Sequence, residues 1–71
     1  MITLEQLSDM SSRARNRSLT DADKTTIAEL SQKWRIPFNP QTRCNQCWID
    51  QTILLTIHAR KLIRKYGQID L

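Results

Sequence analysis

The chain predicts an all-α fold, a small three-helix domain in which a long C-terminal helix is packed by two shorter N-terminal helices, with residues 1–71 forming a single domain. Three observations lead there. One glycine and two prolines leave few breaks for hairpins. Apolar residues recur at helical spacing. Thr3 with Gln6, and Thr20 with Asp23, place capping residues where helices would start. A chain of 71 residues buries a modest share of its surface, so a staple, a metal or a partner chain is expected to reinforce its core.

The first helix is expected from about Leu4 to Ala14. The Thr3 hydroxyl can take the Gln6 amide, and Leu4, Leu7, Met10 and Ala14 form one apolar stripe. Glu5 and Asp9 lie early and Arg13 late, in the sense the helix dipole favours. The following run holds Arg13, Arg15 and Arg17. It reads as a solvated helix end and linker, with phosphate contact as the functional alternative.

Thr20 opens the second helix, with Asp21 and Asp23 in its first turn. Ile27, Leu30 and Trp34 mark a narrow stripe, Lys33 and Arg35 close it with positive charge, and Pro37 is expected to end it. That stripe needs the long helix to lie against. Pro37 and Pro40 stiffen the connector, and Phe38 between them is expected to fold back on the core.

The third helix runs to Tyr66, starting anywhere from Pro40 to Asn45, and Gly67 is its natural stop. Trp48, Thr52, Leu55, Ala59, Leu62, Ile63 and Tyr66 form its main core stripe. Ile49, Ile53 and Ile57 form a second row, turning basic toward Arg60 and Arg64. Two short helices cover one stripe more readily than two, so this isoleucine row is the candidate partner interface, for another copy or a larger protein. The competing arrangement gives one row to each short helix.

Cys44 and Cys47 form a C-x-x-C near a helix N-terminus, where unpaired amides favour a thiolate. Three readings compete. Burial as small hydrophobes leads. A redox pair lacks the strand-to-helix context of thioredoxin-like sites. Zinc needs two further ligands, and His58 lies eleven residues beyond Cys47, roughly 16 Å along the helix, so a Cys₄ site would have to be shared between chains. His58 reads as a surface or boundary residue. No glycine-rich phosphate loop or nucleophile–base arrangement is evident, so a non-enzymatic protein is expected.

Eleven Lys plus Arg against seven Asp plus Glu give a net charge of +4, which assists binding to anionic surfaces. Arg13, Arg15, Arg17, Arg60, Lys61, Arg64 and Lys65 are the candidate nucleic-acid contacts, better suited to backbone than to base readout. The connector is too long for a helix-turn-helix. The start MITLEQLSDM lacks the pattern of a secretory signal and no apolar run spans a bilayer, so a reducing, cytoplasmic setting without membrane is expected.

The segment from Leu19-Thr20-Asp21 through Trp34, a proline-containing spacer and Cys44-x-x-Cys47-Trp48-x-Asp50 resembles a pattern in short uncharacterised proteins of bacteriophages and related mobile elements. It covers about half the chain. The resemblance implies a phage or prophage source and an accessory or virion-associated role, with no activity and no functional residues carried over.

Overall fold

The computed structural model describes residues 3–67, which form α1 (Leu4–Arg15), α2 (Asp21–Lys33) and α3 (Asn45–Tyr66). Both short helices begin with closed capping boxes. The Gln6 amide donates to Thr3 Oγ1 at 3.2 Å and the Thr3 amide to Gln6 Oε1 at 2.9 Å; the Asp23 amide donates to Thr20 Oγ1 at 3.0 Å and the Thr20 amide to Asp23 Oδ2 at 3.1 Å.

Both end in Schellman turns built on arginine. After α1, Arg17 has φ 55°, its amide donates to the Ala14 carbonyl, and the Ser18 amide donates to the Arg13 carbonyl at 2.8 Å. After α2, Arg35 has φ 56°, its amide donates to the Gln32 carbonyl, and the Ile36 amide donates to the Ser31 carbonyl at 2.9 Å. Thus α2 stops at Lys33 with Trp34 as its cap, before Pro37 can act. Gly67, at φ 85°, ends α3 as expected.

The start of α3 is the latest of the sequence alternatives. Asn39 closes a turn in the connector, its side chain accepting from the Gln41 amide at 3.0 Å and its carbonyl from the Thr42 amide at 3.2 Å. Cys44 then caps α3, its Sγ accepting from the Cys47 amide at 3.2 Å.

Leu7 and Met10 of α1, Ile27 and Leu30 of α2, and Trp48, Leu55 and Ala59 of α3 make the core. Leu4, Leu19, Trp34, Ile36 and Phe38 pack around it. Phe38 meets Trp48 edge-on, with centroids 4.8 Å apart, while Trp48 Nε1 donates to the Thr42 carbonyl at 3.1 Å, so the connector is fastened to the first inward residue of α3. The main α3 stripe holds through Ala59. Beyond it Leu62 and Ile63 are half-buried, and Tyr66 is 65% exposed where the stripe predicted core.

The two short helices cover α3 unequally. α1 lies along it much more extensively than α2 does, and the two touch each other little. Asn45 Nδ2 donates to the Ala14 carbonyl at 3.2 Å, so the start of α3 sits at the end of α1. Arg13 bridges to α2 with a two-pronged pair to Asp23, Nε to Oδ2 at 2.7 Å and Nη2 to Oδ1 at 2.8 Å.

Candidate functional site

The isoleucine row grades from cover to solvent: Ile49 and Ile53 are half-buried, and Ile57 is 44% exposed. Leu54, which periodicity placed on neither stripe, is 49% exposed. It lies three residues before Ile57 and so next to it on the helix surface. Lys61 and Arg64 continue the same strip at helical spacing, and Arg60 and Lys65 flank them. All four cations are exposed. The outer side of α3 therefore runs from an apolar middle to a basic end, and the only ion pair among the described residues, Arg13 with Asp23, is elsewhere.

Arg13 is thereby drawn out of the arginine group it was read with. The hydrogen bond to Asp23 pushes the guanidinium pKa further up, and the guanidinium in turn holds the Asp23 carboxyl below its ordinary value. Arg15 and Arg17 remain exposed on their own side of the turn. Sequence separation hid that Arg15 borders one cleft together with Arg60. This cleft, of about 240 Å³, runs between α1 and α3 with Ser8, Ser11 and Ser12 on one wall and Ile53, Thr56 and Ile57 on the other. The short serine side chains explain why the isoleucine row is only half covered. The signal was legible as Ser8, Ser11, Ser12 and Arg15 at helical spacing, beside the Leu7–Met10–Ala14 stripe.

A larger groove, about 730 Å³, separates α2 from the connector. Ala28, Ile36, Pro37, Phe38, Pro40 and Trp48 line it, with Lys24 and Arg35 among its charged residues. The Lys24 ammonium lies 5.7 Å from the centre of the Trp48 ring, a cation–π distance. The groove follows from the stiff connector standing off α2.

The cysteines correct the reading that buried them. Cys44 and Cys47 are both free and exposed, because α1 ends where Asn45 meets it and Trp48 is the first side chain of α3 turned into the core. Hydrogen bonding from the Cys47 side chain and amide pulls the Cys44 thiol below its ordinary value. Sharing that bond with Cys44, together with partial desolvation, pushes the Cys47 thiol up. No cluster of three or more metal-ligating side chains occurs among the described residues, and a tetrahedral zinc site takes four ligands where this pair offers two. Asp50 accepts from Gln46 Nε2 at 2.9 Å. His58 is half-buried with its ring 4.8 Å from that of Trp34, the boundary position its sequence context suggested.

Among the described residues no helix is long and apolar enough to cross a membrane. No protein-family model, curated protein or solved structure matches the chain.

Proposed function

We propose that the protein is a small non-enzymatic interaction module that engages an acidic protein partner through the outer side of α3. The observation that carries this reading is the adjacency of Leu54 and Ile57, 49% and 44% exposed, to the exposed cations Arg60, Lys61, Arg64 and Lys65. Exposed aliphatic side chains supply burial on docking. The cations beside them steer an acidic surface and set orientation. On this reading the setting is accessory or virion-associated, the role that the resemblance of the Leu19–Asp50 segment implies.

The test is affinity purification from the native source with the intact chain and with a Leu54→Glu/Ile57→Glu variant, followed by sedimentation of the isolated protein. A partner with an acidic surface is expected to bind the former and be lost with the variant, both proteins remaining helical. Undiminished binding by the variant, or a chain that sediments only as a folded monomer and recovers no partner, would sink the proposal.

A second reading, contact with nucleic-acid backbone, is favoured by the α1/α3 cleft. There Arg15 and Arg60, 45 positions apart in sequence, line one surface with three serine side chains. Guanidinium and hydroxyl donors in that combination suit phosphate oxygens.

A further inference from the structure

The thiol pair at the start of α3 is unused by either reading. We propose that Cys44 and Cys47 form a reversible dithiol/disulfide pair that exchanges with low-molecular-weight disulfides, Cys44 attacking and Cys47 resolving. Both side chains are exposed, so a small disulfide has access to them. Cys44 stands at the N-cap and Cys47 three positions on, with Cys44 Sγ already 3.2 Å from the Cys47 amide nitrogen. The N-cap lies outside the regular helix, so both thiols sit together at the entrance of α3.

The two thiols are also divided in role. The Cys47 amide donates to Cys44 Sγ at the helix start, which favours the Cys44 thiolate, while Cys47 keeps its proton longer. Asp50 opposes thiolate formation at both positions, so the division comes from hydrogen bonding at the helix start. A bond between residues three apart closes a very small loop and constrains the unfolded chain little. Its value is therefore chemical; as a staple it does little.

In the first step the Cys44 thiolate attacks one sulfur of R–S–S–R. That bond breaks, Cys44–S–S–R forms, and RS⁻ leaves. Cys47 then loses its proton and attacks Cys44 Sγ, forming the Cys44–Cys47 bond and releasing the second RS⁻. The two thiolates take up the two protons. The protein dithiol is oxidised by two electrons and the small disulfide is reduced to two thiols.

The test treats the intact chain, and its Cys44→Ser and Cys47→Ser variants, with oxidised glutathione and follows intact mass over time. Serine is itself a good N-cap, so Cys44→Ser keeps α3 capped, and circular dichroism checks that both variants stay helical. The intact chain is expected to lose two hydrogens without retaining glutathione. Cys47→Ser is expected to accumulate the Cys44 mixed disulfide, and Cys44→Ser to react about tenfold more slowly. Retention of two glutathiones by the intact chain, equal rates for the two variants, or thiols that stay unreactive because purified protein holds zinc between chains would overturn the assignment.

Discussion

Gln51 Nε2 donates to Ser31 Oγ at 2.7 Å, and that hydroxyl donates in turn to the Ile27 carbonyl at 2.7 Å, with Gln51 and Ser31 only 3% and 4% exposed. A polar relay thus crosses from α3 to α2 inside the core. α2 lies along α3 less extensively than α1 does, so this relay adds a directional contact to the Ile27 and Leu30 packing between them. Ser31→Ala is expected to leave the Gln51 amide without its partner and cost about 1–3 kcal/mol. The double change Ser31→Ala/Gln51→Met, which removes both polar groups, is expected to recover much of that. Urea denaturation of the three proteins measures it, and a Ser31→Ala variant as stable as the parent would show that the relay carries no weight.

That relay also marks where the sequence stopped being legible. Capping residues and apolar stripes act within a few positions, so the starts of α1 and α2, their buried faces and the inward side of α3 through Ala59 were readable. Thr52 lies on the core stripe that spacing marked, but Ser31 and Gln51 fall on no stripe, because burial of a polar side chain depends on a partner that only tertiary structure supplies. The cysteines erred in the opposite direction. Their usual preference for burial gave way to their place at a helix entrance that neither short helix covers. In the candidate site, the isoleucine row was visible but its exposed neighbour Leu54 was not, and that Arg15 and Arg60 border one cleft needed the antiparallel lie of α1 on α3.

The arginines at the Schellman positions were hidden for a related reason, since glycine is the usual occupant there. Arg17 and Arg35 hold φ of 55° and 56°, a conformation that costs an L-residue about 1–2 kcal/mol. Replacing either by glycine removes that cost but adds chain entropy to the unfolded state. Each of Arg17→Gly and Arg35→Gly is expected to raise stability by up to about 1 kcal/mol, and Arg17→Val to lower it. Thermal unfolding of the three variants checks the sign. A glycine variant that melts below the parent would show that the arginine side chains contribute more than their backbone strain costs.

Asp23 joins the α1–α2 bridge to the α2 cap, so its charge supports two elements at once. Its folded pKa is depressed, first by the hydrogen bonds from Arg13. The unfolded state therefore binds the proton more readily, and the stabilisation is fully present above the unfolded carboxyl value of about 3.9. It is lost as pH falls from there through the folded value. Relative to Asp23→Asn, the parent is expected to hold a constant advantage from pH 7 to about pH 5, shrinking below about pH 4. Because the pair is partly exposed, 0.5 M salt is expected to reduce that advantage without abolishing the cap. Chemical denaturation across pH tests this, and an advantage that persists unchanged at the acid end would exclude Asp23 as its source.

The two readings of the basic surface separate through Arg15 and Arg60. If the α1/α3 cleft holds backbone phosphate, Arg15→Glu is expected to weaken binding to a short single-stranded oligonucleotide and to lower the slope of log K against log salt by about one phosphate contact. Arg13→Gln is expected to leave that slope unchanged, because its guanidinium is already committed to Asp23. Contact with an acidic protein through α3 predicts a different ranking. Arg64→Glu and Leu54→Glu should then weaken binding most, with Arg15 on the α1 wall contributing least. Fluorescence anisotropy with oligonucleotide over a salt series, run on the same variants used for partner capture, distinguishes the two. No anisotropy change at low salt would remove the nucleic-acid reading. A salt slope insensitive to Arg15 and Arg60, but altered by Arg13, would contradict the committed role of the Arg13–Asp23 pair.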